Sequence, residues 1–255
     1  MKDKILLALL CLMSHASAHA QMGKLFDADK QMSSSYTTQI YLDQDGFIWV
    51  ATRNGLNRYD GYQFRIYKKE GRQDLGMASN YVNCMTQDQN GRFYIGMYGA
   101  LQIFDGQRFR TVTTYALNKK AVPCYITCLL ERQNGEMLIG TSGHGLLKMK
   151  GHREAHQIGD ALAHLNTIHK MIEDRRQNIW LATDKNGLIR WDGKTITRYF
   201  QEEGLRNNIL DVCEGDNGRV YVATANHGNY FFSVEKTIAS CTCRNTLTIV
   251  FFLVI

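Results

Sequence analysis

The stretch Asp45–Gly61, which reads DGFIWVATRNGLNRYDG, decides the fold of this chain. It contains an Asp-Gly turn, an apolar and aromatic run, a second turn, an alternating run and a third turn. Short β-branched and aromatic runs between Gly, Asn and Asp pairs are typical of β-strands joined by hairpins. The stretch therefore predicts two strands together with the turns that bound them.

The same pattern returns four more times, so the chain is built from repeats. Its anchor positions follow one another at steps of 45, 44, 42 and 41 residues and are occupied by Trp49, Tyr94, Leu138, Trp180 and Tyr221. A period of about 40 to 45 residues with four short strands per unit is typical of β-propeller blades. Helical repeats of similar length would need a 3.6-residue periodicity, which these short runs lack. We therefore predict an all-β chain, a β-propeller of four-stranded antiparallel blades.

The repeats divide the chain into about five blades. We place these at about residues 34–76, 80–120, 124–160, 166–202 and 208–232. In the first blade the pattern predicts four strands, at residues 36–42, 46–52, 56–59 and 63–67. One position of the first strand is apolar in all five copies and is expected to face the core between blades: Ile40, Met85, Leu129, Met171 and Val212.

The N-terminus has the features of a secretory signal peptide over residues 1–20. Lys2 and Lys4 precede an apolar core at Ile5–Met13, and Ala18-His19-Ala20 provides a cleavage site. A buried strand or a membrane anchor is the alternative. Nine apolar residues are too few to span a bilayer, which needs about 20. We therefore expect a periplasmic or extracellular protein with no membrane span in this chain.

Composition and charge suit one globular domain. The 255 residues are 44% hydrophobic and 21% charged, with a formal net charge of +6. The basic excess is diffuse, and its densest clusters are Lys68-Lys69 and Lys119-Lys120. Because no block of five or more like charges appears, we expect a solvated surface and no nucleic-acid partner.

Six of the seven cysteines remain after signal cleavage, and an even number in an exported chain is compatible with disulfides. Cys84 and Cys128, however, occupy the same repeat position within the first strand of successive blades. A buried small hydrophobic side chain explains that position as well as a bridge does. We favour free buried thiols over disulfides.

The two ends of each predicted blade differ in character. The Asp-Gly turns lie at one end, whereas longer and more varied loops lie at the other, where binding residues tend to occur. The loop tips carry side chains that could hydrogen-bond to or stack on a polar ligand: Arg53, Asn54, Tyr98, His144, Asp184, Lys185, Asn186, Asn226 and His227. The alternative is structural, since Asn and His before glycine tolerate the left-handed αL conformation.

The first copy, DQDGFIWVATRNGLNRYDG, resembles the two-component regulator propeller repeat, and the resemblance extends over about residues 34–232. That family forms the exported sensor regions of hybrid two-component systems in gram-negative gut bacteria. There, seven-bladed propellers precede a β-sandwich, a membrane helix and a histidine kinase, and many such sensors govern glycan-utilisation genes. The resemblance implies an exported ligand-recognition domain that binds a glycan fragment, an oligosaccharide partner, without kinase output in this chain.

Motifs for catalysis are absent, so we predict no catalytic residue, no metal site and no cofactor. His152 and His156 would hold a metal only if they shared a helix, where an outer strand is expected instead. Asp43, Asp88 and Asp174 recur before the first turn of a blade and are interpreted as hairpin caps. A propeller-type carbohydrate-active lyase or hydrolase is the alternative function, and a non-functional truncated remnant is another.

The repeat pattern ends at Phe232, and residues 233–255 form a tail that does not resemble the family. We interpret it as a disordered or frameshifted extension of a truncated sensor. The alternative is a tail that supplies one closing strand. Five blade cores, the fifth unfinished, predict an open ring whose end blades leave apolar faces uncovered. Such faces would favour self-association, because each blade depends on its neighbours to bury its core.

Overall fold

The computed structural model describes residues 31–69, 76–199, 208–216, 218–225, 229–232 and 238–240, the last two segments as backbone only. The predicted signal peptide, the residues after Ser240, and Asn226 and His227 lie outside the described residues.

Twenty strands and one short helix follow one another along the described chain. Their bounds are β1 Thr37–Leu42, β2 Ile48–Thr52, β3 Gly55–Tyr59, β4 Phe64–Tyr67, β5 Val82–Gln87, β6 Phe93–Met97, β7 Ala100–Phe104, β8 Phe109–Tyr115, β9 Tyr125–Glu131, β10 Met137–Ser142, β11 Leu146–Lys150, β12 Glu154–Gln157, α1 Gly159–Ala163, β13 Thr167–Glu173, β14 Ile179–Asp184, β15 Leu188–Trp191, β16 Ile196–Tyr199, β17 Ile209–Glu214, β18 Val220–Thr224, β19 Asn229–Phe232 and β20 Ile238–Ser240.

These strands form five successive four-stranded antiparallel meanders, which confirms the predicted propeller architecture. Within each meander every strand pairs with the next one in the chain. We call the meanders blades one to five. The four strands predicted for the first blade are found within two residues of their predicted starts and ends.

The blades stack face to face, and the core lies between them. Four clusters of buried apolar side chains occur, one between each successive pair of blades. Met85, Met171 and Val212 are buried at the position predicted to face this core, and Leu129 is partly buried. Ile40 contradicts the prediction, because it is 54% exposed. Its face of blade one has no described blade packed against it.

Among the described strands no sheet closes the stack into a ring, so the predicted open array is confirmed. At the uncovered side of blade one, Ile40, Leu42 and Ile66 are all exposed. The equivalents of Ile40 in blades two, four and five are buried by the preceding blade. The self-association that we expect from this uncovered face stays a prediction.

Polar bonds join the blades at the end that carries the Asp-Gly turns. In each of four blades, the residue that follows the cap position of the first turn donates its backbone N–H to the next blade. The acceptor is a Gln or Glu side chain at the end of the first strand of that blade. The pairs are Gln44 with Gln87, Gln89 with Glu131, Gln133 with Glu173 and Arg175 with Glu214. The corresponding residue of blade one is Leu42, so only that blade lacks such an acceptor among the five.

Blades two and three are joined at their outer edges, which the repeat pattern did not predict. Strand β12 pairs in parallel with β8, with Glu154 opposite Thr113 and His156 opposite Tyr115. A bridge between Ser142 and Thr167 adds blade four, and the three blades form one twelve-stranded sheet. The pairing covers backbone groups of two outer strands that would otherwise remain open edges.

Blade five does not stop unfinished at Phe232, because the tail supplies a further strand, in agreement with the alternative for residues 233–255. Strand β20 pairs antiparallel with β19, with Ile238 opposite Phe232, and supplies the fourth strand. This segment lacks the family's Asp-Gly turn. Antiparallel pairing needs only backbone N–H and C=O groups, so an extended segment can complete a sheet without the family's side chains.

The first-turn aspartates are hairpin caps, as predicted. The carboxylate of Asp43 accepts the backbone N–H groups of Asp45 and Phe47 and the indole N–H of Trp49, the last at 2.6 Å. Asp174 makes the same set of bonds in blade four, including one to the indole of Trp180 at 2.8 Å. The cap therefore holds the turn and the aromatic anchor together.

Blade three has neither the aspartate cap nor an aromatic anchor. Its anchor position is Leu138, which has no polar edge, and its cap position is Arg132 instead of Asp. The Arg132 guanidinium binds the carboxylates of Glu136 at 2.9 Å and Glu173 of blade four at 3.0 Å. An apolar anchor offers no N–H to a carboxylate, so the position is free to form an ion pair between blades.

The four cysteines that the structure describes are free thiols, as predicted. Cys84, Cys124 and Cys128 are buried, and burial raises the pKa of Cys128 to about 12. These thiols stay protonated at neutral pH and behave as small apolar side chains. Cys213 corrects the expectation of burial, because it is exposed. Cys241 and Cys243 lie outside the described residues.

Candidate functional site

The varied loops and the links between blades lie at one end of the stack, which we call the loop face. In blade one, Thr52 at the end of β2 is paired with both Thr37 and Gly55, so the β2–β3 loop lies beside the start of β1. This loop reaches the next blade, since the Gly55 N–H donates to the Asn80 carbonyl at 2.7 Å. The loop of blade three contacts the link to blade four in the same way, through Gly143 and Asn166.

Four tyrosines form a contiguous group on the loop face of blades one to three, and we call it the tyrosine cluster: Tyr36, Tyr81, Tyr98 and Tyr125. The rings of Tyr81 and Tyr98 are stacked with centroids 6.4 Å apart, and Tyr125 lies 5.1 Å from Tyr98. Tyr36 is 67% exposed and Tyr98 is 62% exposed. Solvent therefore reaches large aromatic surfaces at this end of the blades.

Arg53 connects the tyrosines of blades one and two. Its guanidinium carbon lies 5.5 Å from the ring centroid of Tyr36 and 5.7 Å from that of Tyr81. Both distances are within the range of cation–π attraction. The side chain of Arg53 is exposed, so its N–H groups remain accessible beside the tyrosine rings.

The repeat register explains why the tyrosines meet. Tyr36, Tyr81 and Tyr125 stand immediately before or at the start of the first strands of three successive blades, and they recur at the anchor steps of 45 and 44 residues. Blade stacking therefore places them side by side. Sequence reasoning selected only Arg53 and Tyr98 from this group, although the recurrence of the other three was readable from the same alignment of repeats.

Asn54 and Asn186, two of the predicted binding residues, hold the loops in place. The Asn54 amide donates to the Ser33 carbonyl at 3.3 Å, and the Asn186 amide oxygen accepts the Asn166 N–H at 3.0 Å. The alternative that these residues occupy the αL conformation is wrong for Asn54, His144 and Asn186. The glycines that follow them take the positive φ instead.

The remaining predicted residues that the structure describes lie on blades three and four. His144 is half-buried, and its carbonyl accepts a bond from Gln157. Asp184 accepts the Asn166 amide at 3.3 Å, and Lys185 is exposed with a φ of 67°. The structure brings together Arg53 and Tyr98, whereas these three side chains are on the neighbouring blades. Asn226 and His227 lie outside the described residues.

The first strands line a groove of about 310 Å³, which we call the inner groove. Each first strand carries one extra residue relative to its partner strand, which is a β-bulge. Bulges re-aim side chains and are frequent near functional sites. The bulge residues recur at the repeat steps, and the first four line the groove: Thr38, Asn83, Thr127, His169 and Leu210.

The bulge side chains bond successive blades together along the inner groove. Thr38 donates to the Val82 carbonyl at 2.7 Å, Asn83 to the Ile126 carbonyl at 2.7 Å, and Thr127 to the Ile168 carbonyl at 2.6 Å. Each acceptor directly precedes the bulge residue of the next blade. Sequence reasoning missed this series, because residue type varies from Thr to Asn to His.

His169 interrupts the series between blades four and five. Its Nε2 atom is buried and has no hydrogen-bond partner within the described part of the chain. Burial lowers the pKa of the imidazole, and the nearby Asp184 carboxylate opposes that shift. The joint between blades four and five therefore lacks a bond that the three preceding joints have.

Replacing His169 with Asn is expected to raise the free energy of unfolding by about 1 kcal/mol, because the amide can donate to the Ile209 carbonyl as Asn83 donates to Ile126. The variant also loses the pH dependence that His169 gives to the free energy of unfolding. With its pKa lowered in the folded state, His169 favours folding above its ordinary pKa near 6.5, and this contribution is lost as the pH falls below that value. Urea unfolding at pH 7.5 and 5.5 measures both effects. Exposed His164 replaced by Asn is the control, and an equal change in both variants would refute the assignment.

Asn83 connects the inner groove with the tyrosine cluster. Its side-chain oxygen accepts the Tyr125 hydroxyl at 3.2 Å, while its amide nitrogen bonds the next blade and its side chain lines the groove. Aromatic surface, a guanidinium and amide groups thus meet at one opening. An arrangement of this kind can stack on an apolar ring face and hydrogen-bond to the polar groups at its edge.

Comparison with family models identifies the repeat. Residues 31–54 and 76–99, the starts of blades one and two, match the model described as two component regulator propeller. The chain contains two-component regulator propeller repeats. A curated relative, histidine kinase P4 of Formosa agariphila, is 34% identical over an alignment of 232 residues that covers 68% of this chain.

Solved structures with the same architecture include extracellular domains of two component systems. The extracellular domain of a hybrid two component system from B. thetaiotaomicron superposes with a TM-score of 0.66 at 17% identity, covering 81% of this chain and 31% of that one. Virginiamycin B lyase from Staphylococcus aureus gives a TM-score of 0.61 at 12% identity, covering 80% of this chain and 68% of the lyase. Both likenesses concern the propeller fold.

The chain spans a minor part of the two-component proteins that it matches, 17% of the histidine kinase and 31% of the B. thetaiotaomicron domain. Among the described residues of this two-component regulator propeller chain, no helix is long and apolar enough to cross a membrane.

The histidines considered for metal binding do not share a helix. His152 lies in a turn beside the guanidinium of Arg92, and His156 lies on β12, stacked on Tyr115 at 4.8 Å. Within the described ranges, no group of three His, Cys, Asp or Glu side chains is placed to hold a metal ion.

Proposed function

We propose that this chain is the ligand-recognition part of an exported two-component sensor, and that it binds a glycan fragment at the tyrosine cluster. The observation that carries the proposal is the exposed group of aromatic rings that spans three blades on the loop face. The family match and the curated histidine kinase support a signalling context. The predicted signal peptide supports a site outside the cytoplasm.

Tyrosine suits sugar recognition for a physical reason. The C–H groups of a pyranose form an apolar face that packs on an aromatic ring, while the sugar hydroxyls need hydrogen-bond partners at the ring edges. Tyr98 offers an exposed face, and the hydroxyl of Tyr125 and the amide of Asn83 lie at its side. Tyrosine also loses little conformational entropy on binding, since it has only two side-chain torsions.

Replacing Tyr98 with Ala is expected to weaken oligosaccharide binding at least tenfold, because the ring supplies the central stacking surface of the cluster. The measurement is isothermal titration calorimetry of the purified full chain against a panel of plant, algal and host oligosaccharides. Tyr62 is the matched control, since it is 92% exposed in an Asp-Gly turn at the opposite end of the blades.

The same experiment separates recognition from catalysis. Chromatography of each mixture after prolonged incubation detects cleaved product, which would replace the sensor proposal with an enzymatic one. Equal losses of affinity in the Tyr98→Ala and Tyr62→Ala variants, or no binding to any oligosaccharide, would refute the assignment of the site.

A further inference from the structure

We propose that the ligand of the tyrosine cluster is an acidic sugar, whose carboxylate or sulfate group binds the guanidinium of Arg53. This inference rests on the proposed function and specifies the ligand class of the same site. It follows from the position of Arg53, from the tyrosine rings beside it and from the lack of a described carboxylate partner.

The two tyrosine rings hold the Arg53 guanidinium at a defined place. It lies over Tyr36 at 5.5 Å and over Tyr81 at 5.7 Å, so its position is restricted by rings of two different blades. The backbone N–H of Arg53 also donates to the Tyr36 carbonyl at 3.1 Å, which fixes the loop that carries it. A charged group fixed in this way binds a ligand with less loss of conformational entropy than a mobile side chain does.

Arg53 has no carboxylate partner within the part of the chain that the structure describes. Some other exposed or half-buried arginines there form ion pairs, such as Arg92 with Asp88 at 2.7 Å and Arg110 with Asp105 at 3.0 Å. Arg58 is stacked on Phe47, 4.4 Å from the ring centroid, but it is half-buried and its Nε atom is enclosed. Arg53 thus combines exposure with an unneutralised charge.

The neighbours of Arg53 leave its charge available. The cluster presents phenol hydroxyls and the amide of Asn83, all of them neutral. Burial raises the pKa of Tyr125, so that its hydroxyl stays protonated at neutral pH. A guanidinium is always charged and presents paired N–H donors that match the two oxygens of a carboxylate or sulfate. A neutral sugar offers no anionic group to pair with this guanidinium.

Tyr81 links the stacking surface to the charge. Its ring centroid lies 6.4 Å from that of Tyr98 and 5.7 Å from the guanidinium carbon of Arg53, so a sugar bound across Tyr98 and Tyr81 can present its acidic substituent to Arg53. Uronic acids and sulfated sugars share this chemistry. Matched ligand pairs separate these two sources of the acidic group.

The test compares each acidic oligosaccharide with its neutral counterpart: oligogalacturonate with its methyl ester, and a sulfated galactan oligosaccharide with its desulfated form. We expect the acidic member of at least one pair to bind the full chain at least tenfold more tightly. We also expect the Arg53→Gln variant to lose this difference, so that it binds the acidic and the neutral member with similar affinity. Raising the salt concentration should weaken the binding of the acidic member and leave that of the neutral one unchanged.

Arg65 replaced by Gln is the matched control, because Arg65 is exposed on β4 and stacks on Tyr67. Thermal melting checks that both variants fold. Equal affinity for the acidic and neutral members, with binding still sensitive to Tyr98→Ala, would overturn this inference and leave the proposed function standing. Absence of any binding that depends on Tyr98 would overturn both.

Discussion

Replacing Asp174 with Ala is expected to lower the free energy of unfolding by about 3 kcal/mol. Its carboxylate is 1% exposed and accepts the backbone N–H groups of Arg176 and Asn178, the Asn178 amide and the indole of Trp180. The substitution leaves buried donors without partners, and each unsatisfied buried group costs about 1–3 kcal/mol. Urea unfolding followed by tryptophan fluorescence measures the loss.

Asp192 provides the matched control for Asp174. It also caps a turn of blade four, accepting the backbone N–H groups of Lys194 and Thr195, but it is exposed to solvent. Water can replace its bonds, so Asp192→Ala should have a much smaller effect. The Trp180→Phe variant should retain the turn bonds and lose only the indole bond. Equal losses for Asp174→Ala and Asp192→Ala would show that burial of the cap does not determine its contribution.

The blade architecture was predictable because each blade repeats a local signal. Aspartate before a turn, glycine within it and an aromatic anchor after it recur at nearly constant steps, as around Trp49 and Tyr94. These features depend on a few neighbouring residues, so a single copy already specifies a hairpin. The prediction for Ile40 failed because its burial depends on a preceding blade and not on the hairpin itself.

The candidate site was only partly predictable, because it depends on contacts between blades. The varied loops indicated Arg53 and Tyr98. Individual loops could not show that Tyr81 contacts both of these residues or that Tyr125 packs beside Tyr98. The bulges were hidden for a different reason. An extra residue in a strand has no fixed residue type, so strand pairing was needed to show that Asn83 and His169 are bulge residues.

Contacts between neighbouring blades also explain where glycine and cysteine occur together. In blades two and three, Gly96 and Gly140 pair with Cys84 and Cys128. In blades one and four, the equivalents are Ala51 opposite Gln39 and Ala182 opposite Lys170. A methyl group at Gly140 would meet the Cys128 sulfur, and Ile168 of blade four at 3.2 Å. The thiol thus occupies the space that the alanine methyl group fills in the other blades.

Replacing Gly140 with Ala is therefore expected to lower the free energy of unfolding by about 2–3 kcal/mol, because the added methyl group overpacks a closed interface. Cys128→Ala alone should cost about 1–2 kcal/mol through the cavity that it leaves. In the double variant the methyl group of residue 140 fills the space of the lost sulfur. We expect the double variant to be more stable than Gly140→Ala alone, with a coupling of about 1–2 kcal/mol.

A double-mutant cycle in urea measures this coupling between residues 140 and 128. The three variants are compared with the unaltered chain at one pH, and free thiols are kept reduced throughout so that only packing changes. Cys213→Ala combined with Gly140→Ala is the control pair, since Cys213 is exposed and lies in blade five. Additive losses in the cycle of residues 140 and 128 would show that the sulfur does not restrict the glycine. Contact with Ile168 of blade four alone would then explain why residue 140 is a glycine.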